Sequence, residues 1–427
     1  MSALPAAAQP QIRDAEIENI IRAYAAPLLN AANLDPDAFN THLINSDDLN
    51  AFVARGQRLF ITTGLLRRSA NANQVLGVMA HEMGHIAGGH LARLHDAMST
   101  AGKTALITQL LGVAVGALSG QPGAGVMIGG GGGAVARRSL LNFSRSQEQA
   151  ADQAAVTYLD SARLSTKGIL EFLTILEQQE FLQSERQDAY LRTHPLTRSR
   201  IAFVRGHVER SPYSNNRAPE KFEQLHRRMV AKLDGFLAPP GNTLAKYKAD
   251  DGSVPARYAR AIAYYRQAEL NEALPLIASL IADEPANPYF RELRGQVLFE
   301  NGRLAEAMPS YEEAIRLLPE TPLLLTSLAH LQIELNRPEL LPRAIDNVKR
   351  ALQVDPFYPL AWRLAATAYG RRGEMGLSAW SLAEYNLLVG RERDARALAE
   401  KAARLLKRGS PSWLRAQDII SGTKKPL

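Results

Sequence analysis

V-M-A-H-E-M-G-H, Val78 to His85, sets two histidines four residues apart with a glutamate directly after the first. The residues around them are apolar, which reads as a buried α-helix. Positions four apart share a helix face, so His81 and His85 can grip one metal ion. Glu82 then projects beside them, toward a water. This HExxH pattern is the arrangement of zinc hydrolases. It is short enough to recur by chance, so its surroundings must carry the reading.

A second segment, S-R-S-Q-E-Q-A-A-D-Q-A-A-V, places Glu148 63 residues after His85. It reads as a second helix in which Glu148 supplies a third ligand, since a carboxylate oxygen suits zinc beside two nitrogens. Asp152 lies one turn further on the same face. There it can take the free ring N–H of a ligating histidine. The competing pattern HExxHxxGxxH fails: Gly88 fits, but position 91 is Leu91. His90 comes one residue early, about 100° around the helix.

Three ordered motifs carry a resemblance. H-E-M-G-H, S-R-S-Q-E-Q-A-A-D and T-H-P-L-T-R-S-R-I (Thr193 to Ile201) resemble the HtpX and CAAX-prenyl-protease type of zinc metallopeptidase. N-A-F-V-A-R-G-Q-R-L-F-I-T-T-G-L-L (Asn50 to Leu66) is similar to that family's strand pair ahead of the active-site helix. The motifs cover about residues 50–205, and the rest of the chain resembles a periplasmic branch of the family with a tetratricopeptide tail. The resemblance implies one Zn²⁺ per chain, a location in the bacterial periplasm, and misfolded or stalled outer-membrane β-barrel proteins as clients. It also implies that His194 lies near the metal. Two roles compete for His194: oxyanion stabiliser, or a fourth ligand that holds the enzyme latent, because closed four-ligand sites are structural. Arg198 and Arg200 can aid the oxyanion or make surface ion pairs. His90 matches a histidine common in the family after HExxH and reads as a packed neighbour of the ligands.

The expected chemistry follows. His81, His85 and Glu148 hold zinc, Glu82 takes the proton of the attacking water and returns it to the leaving amine, and His194 stabilises the oxyanion. The substrate is expected to add a strand to an edge formed by Gln57 to Thr62, with Gln57, Leu59, Phe60 and Ile61 in contact. Main-chain pairing of that kind tolerates many side chains, so broad endopeptidase specificity toward unfolded segments is expected.

Composition bounds the rest. A chain of 427 residues, 46% hydrophobic and 22% charged, suits two or three soluble globular domains. It has no cysteine, so disulfides and thiolate ligands are excluded, and any metal must rest on His, Asp or Glu. Met1 to Pro10 has no basic region and no apolar core, so it is not an intact signal peptide, although A-L-P-A-A-A-Q looks like the end of one. Net charge is +7, and residues 394–427 carry +5 of it. Solvated helix faces are the first reading of that tail, ahead of an acidic partner or an anionic lipid surface. Nucleic acid is not expected, because no basic stripe is interleaved with stacking aromatics. Thr104 to Val135 has no charged residue. It reads as a hydrophobic helix, Thr104 to Leu118, and a glycine-rich loop beside the active site, ahead of peripheral membrane contact; the apolar run is short for a membrane span.

Along the chain, Asp14 to Leu29 reads as a helix and His42 to Asn45, Asn50 to Ala54 and Gln57 to Thr62 as strands. Thr166 to Gln183 and a segment opening at His194-Pro195 read as further helices, and Pro219 to Leu237 as a linking helix. Beyond that the sequence repeats: Ala273, Leu270, Pro285 and Pro288 recur 34 residues on as Ala307, Leu304, Pro319 and Pro322. Pro356 and Pro359 follow after 37, which implies a three-residue insertion near Pro338 to Pro342. This is the tetratricopeptide period. Four units and a capping helix pair from Asp394 to Ser421 make an array whose concave face is expected to bind proteins.

The expected fold is mainly α with a small β-sheet: an α+β zincin-like metalloprotease domain over residues 1–212, a linking helix and linker over 213–250, and an α-solenoid over 251–427. The expected function is a zinc-dependent endopeptidase for misfolded or stalled proteins, with the repeats recruiting clients or outer-membrane assembly machinery. Two other functions stay open: a chaperone or assembly adaptor with a latent protease site, and a membrane-surface protease.

Overall fold

The structure, a computed structural model, describes residues 11–54, 56–90, 131–178, 190 and 194–423. The stretch Thr104 to Leu118 and His95 lie outside these residues. The chain divides into two compact units, Met1–Ala238 and Pro239–Leu427. Among the described residues no helix is long and apolar enough to cross a membrane.

The first unit opens with β1 (Gln11–Ile12) and α1 (Ala15–Ala32). The Asp14 side chain caps α1 by accepting from the Ile17 N–H, and Asn33 ends it in the left-handed region at φ 52°. Its stripe of Ile17, Ile20, Ile21, Tyr24 and Leu28 enters the core. β2 (Asn40–Ile44), β3 (Ala51–Ala54) and β4 (Arg58–Thr62) complete a four-stranded sheet ordered β1-β2-β4-β3. β2 and β4 are parallel; the other pairs are antiparallel. Leu43, Ile61 and Ala51 share a register row on the core face. The opposite face carries His42, Phe60 and Phe52, stacked across three strands with ring centroids 4.7 and 5.0 Å apart.

This topology corrects one expectation. Gln57 to Thr62 is not an edge: β4 lies between β2 and β3, and both of its sides are hydrogen-bonded. Alternating side chains tell which face of a strand is buried but not which strands flank it. The parallel partner β2 comes from before the hairpin and occupies the side assigned to substrate. Among the described strands, β1 and β3 are the edges.

α2 (Thr63–Arg68) leads to α3 (Ala72–Ala87), the HExxH helix, capped by the Asn71 side chain on the Gln74 N–H. Then come α4 (Gly131–Ser161) and α5 (Lys167–Glu177). Two glycines of α3 set its neighbours. A Cβ at Gly77 would stand 2.6 Å from the Ile169 nitrogen of α5, and one at Gly84 would stand 2.8 Å from the Ala151 oxygen of α4. Both helices therefore approach α3 at backbone distance, which a larger residue would forbid.

α6 (Arg198–Arg210) begins later than His194-Pro195: the Thr197 side chain caps it through the Arg200 N–H, so Pro195 precedes the helix. α7 (Glu220–Leu237) packs within the first unit. Tyr24 Oη donates to the Phe222 carbonyl at 2.9 Å, His226 Nε2 stands 2.9 Å from the Ser69 carbonyl, and Lys232 reaches Asp14 at 2.8 Å.

The second unit is a run of antiparallel helix pairs. After α8 (Pro240–Lys246) come α9 (Val254–Arg266) and α10 (Leu270–Asp283), α11 (Pro288–Glu300) and α12 (Leu304–Leu317), and α13 (Pro322–Glu334) and α14 (Leu341–Val354). α15 (Pro359–Arg371) and α16 (Met375–Leu388), then α17 (Glu392–Leu405) and α18 (Pro411–Gly422), follow. A proline opens α11, α13 and α15, where its missing N–H costs nothing. The three extra residues form a 3₁₀ turn, Pro338–Leu340, between α13 and α14. Small residues let the last pairs close up: Ala379, Ala383, Ala395, Ala399 and Ala402 form one buried cluster.

Candidate metal centre

α3 turns His81 and His85 to the same side, with their Nε2 atoms 3.1 Å apart. Because Gly84 admits α4 so closely, Glu148 reaches both: its Oε2 is 3.3 Å from His81 Nε2 and its Oε1 3.4 Å from His85 Nε2. The loop before α6 adds His194, whose Nδ1 lies 3.3 Å from each Glu148 oxygen. One donor atom from each of His81, His85, Glu148 and His194 lies within 4.8 Å of every other. All four residues are buried.

The other ring nitrogen of each α3 histidine is also engaged. His81 Nδ1 is 2.9 Å from Asp152 Oδ1, and His85 Nδ1 is 2.9 Å from Nδ1 of the buried His90. Both rings thereby present Nε2 to the common centre. Asp152 is held in turn by Arg200, whose Nε and Nη2 donate to its two oxygens at 2.6 and 2.9 Å. Arg200 Nη1 also reaches Glu148 Oε2 and the Pro195 carbonyl, each at 3.0 Å. One buried guanidinium therefore ties together α4, α6 and the His194 loop. Arg198 is exposed and takes no part.

Glu82 is fully buried, and neither of its oxygens accepts a hydrogen bond among the described residues. Its nearest ionic neighbour is His194 Nε2, 3.5 Å from Oε1. Burial pushes the Glu82 carboxyl up, and the negative charge of Glu148 adds to this against His194 and His81. At Glu148 burial acts upward too, but His194, His81 and His85 outweigh it and hold the carboxyl well below the usual range. Asp152 is lowered against its burial by Arg200 and His81. Burial keeps His85 neutral, holding it down to about 3 in spite of Glu148. At His81 burial also opposes charge, yet Asp152 and Glu148 prevail and raise it to about 9.

These residues fit a metal ion. Three imidazoles and one ionised carboxylate converge, and uncompensated buried acceptors such as the Glu82 oxygens are costly unless a cation or a water meets them. Nitrogen and oxygen donors of this kind suit a borderline divalent ion.

Tyr190 escaped the sequence reading. It is buried and stacks on His194, with ring centroids 4.3 Å apart and planes at 25°, while its edge meets Phe172 at 5.1 Å. Its signal was available: an aromatic four residues before a histidine, at one-turn spacing, with the His194 N–H donating to the Tyr190 carbonyl at 2.7 Å.

Family models and curated relatives match both units of the chain. Residues 11–208 match Peptidase family M48, and residues 258–322 match a tetratricopeptide repeat. The chain is 25% identical over 421 residues to the Beta-barrel assembly-enhancing protease of Yersinia pestis, covering 95% of this chain and 82% of that one. To the protein of the same name from Escherichia coli K12 it is 26% identical over 419 residues, covering 94% and 82%. Among solved structures, MamA aligns at a TM-score of 0.32 and 20% identity over 40% of this chain and 93% of that chain. YrrB, a TPR protein with an unusual peptide-binding site, aligns at 0.30 and 16% over 45% and 91%. The first unit, with its buried histidine and carboxylate cluster, is a metallopeptidase domain of Peptidase family M48, and the second is a tetratricopeptide-repeat solenoid.

Proposed function

We propose that this chain is a zinc-dependent endopeptidase that degrades misfolded or stalled proteins in the bacterial envelope, and that its repeats recruit clients or outer-membrane assembly machinery. The location and the clients follow the name of its relatives, Beta-barrel assembly-enhancing protease. One observation carries the catalytic reading: a buried carboxylate, Glu82, without a hydrogen-bond partner among the described residues, beside a converging set of histidine and carboxylate donors.

His81, His85 and Glu148 would hold the zinc, with Asp152 and His90 fixing the two rings. Zinc bound there polarises the scissile carbonyl and eases ionisation of the attacking water. Glu82 takes that proton; its burial, which raises its proton affinity, suits a group that must hold a proton briefly and hand it to the leaving amine. His194 Nε2, 3.5 Å from Glu82 Oε1, would donate to the oxyanion. Arg200 acts on Asp152 and Glu148, keeping the second ligand helix in place.

His194 belongs to the same four-donor cluster as the proposed ligands. As a fourth ligand it would close the site and hold the enzyme latent until the loop moves, leaving an adaptor with a shut protease. Digestion of an unfolded model protein by wild type, Glu82→Gln and His194→Ala, each with and without a chelator, separates the two. The open enzyme predicts cutting by wild type, loss with chelator or Glu82→Gln, and impairment in His194→Ala. The latent one predicts a nearly silent wild type and an active His194→Ala. Cutting that survives Glu82→Gln contradicts both.

A further inference from the structure

In each helix pair of the second unit a short turn joins the first helix to the second. Four of these turns carry acid at or beside a base. Glu269 follows Arg266, Arg303 pairs with Glu306 at 2.5 Å, Glu339 follows Arg337, and Arg372 pairs with Glu374 at 3.0 Å. The fifth turn, between α17 and α18, departs from this pattern. It reads Leu406-Lys407-Arg408-Gly409-Ser410, and from Lys401 through Gln417 there is no Asp or Glu at all.

Five bases lie in that stretch. Arg415 is neutralised by Glu384 at 2.7 Å. The other four, Lys401, Arg404, Lys407 and Arg408, are exposed and meet no acidic side chain among the described residues. Arg408 lies over the Trp413 ring, 5.9 Å from its centroid. Between these bases stand two large apolar side chains that the solenoid does not cover, Leu405 at 53% and Leu414 at 52% exposure. This pair exposes leucine among cations that meet no acidic side chain among the described residues.

We propose that the α17–α18 turn is a docking surface for the anionic phospholipid headgroups of a bilayer. Four uncompensated cations supply attraction to a negative surface. The exposed leucines and the Trp413 ring supply the apolar contact that an interfacial element inserts below the headgroups. Lys407 to Gly409 are exposed throughout. A bilayer surface meets such a solvent-facing turn without a preformed groove, which an acidic peptide would need to bind against. The inference rests on the second unit alone and is independent of the peptidase reading.

The test is co-sedimentation of the full chain with vesicles of phosphatidylcholine, with and without phosphatidylglycerol, at low and high salt. Binding should require phosphatidylglycerol and be released by salt. Replacing Lys401, Arg404, Lys407 and Arg408 by Gln should weaken it by about fivefold for each cation removed. Leu405→Ser with Leu414→Ser should weaken it with the charge intact. The control replaces four exposed bases elsewhere, Arg205, Arg210, Arg217 and Lys221, so that net charge falls equally; binding should persist. Equal loss in the control would reduce the effect to overall charge and overturn the proposal. Absence of binding to phosphatidylglycerol vesicles would also overturn it and leave an acidic protein as the partner to seek.

Discussion

In the first unit His81, Glu82, His85, Glu148, Asp152, His194 and Arg200 all lie at 8% exposure or less. In the second unit the pairs Arg303–Glu306 and Arg316–Glu313 sit on helix surfaces, and the interior of the last pairs is largely alanine and leucine. Both units are charged, but among the described residues the first gathers these seven groups inside around one point, whereas those pairs of the second face solvent. Taking ions out of water costs several kcal/mol each, and a partner returns only part of it. A chain that buries seven titratable groups together is organised around what they do. A repeat array needs only that each helix pair cover its neighbour.

If that contrast is right, the same kind of substitution has opposite weight in the two units. Arg200→Met should have the largest effect. It leaves Asp152 and Glu148 buried without their counter-charge, and the expected loss is about 3–5 kcal/mol of stability, read from urea unfolding. Restoring balance with Asp152→Asn in the same chain should recover part of it. A milder break is Asp152→Asn alone. The ring of His81 loses its charged anchor, and metal affinity should fall about 10–100-fold in a competition titration while the fold persists. The smallest effect belongs to the second unit: Arg303→Ala should leave the thermal midpoint where it was, because the Arg303–Glu306 pair is open to solvent. A large shift there would erase the contrast.

Much of this was legible beforehand because it is periodic or local. His81 and His85 share a face by helix geometry, Glu148 and Asp152 by one-turn spacing, and the repeats by a 34-residue period whose insertion appears as the Pro338–Leu340 turn. What depends on long-range pairing was not legible. Gln57 to Thr62 reads as a strand from its residues, but that β2 would flank it in parallel is decided by the path of the whole unit. Arg198 and Arg200 are alike in sequence. The Thr197 cap sets the start of α6, and only then does Arg200 face inward while Arg198 faces out. The unpaired cations of the α17–α18 turn were visible as composition, but their meaning needed the other turns for comparison.

If the buried cluster of the first unit is a one-metal centre, as proposed, Glu82 is not among its ligands. Zinc content per chain after dialysis tests it directly, by elemental mass spectrometry on wild type, Glu82→Gln, His81→Ala and Glu148→Ala. Wild type and Glu82→Gln should each carry one zinc per chain, and the other two little or none. Full zinc in His81→Ala and Glu148→Ala, or its loss in Glu82→Gln, would contradict it.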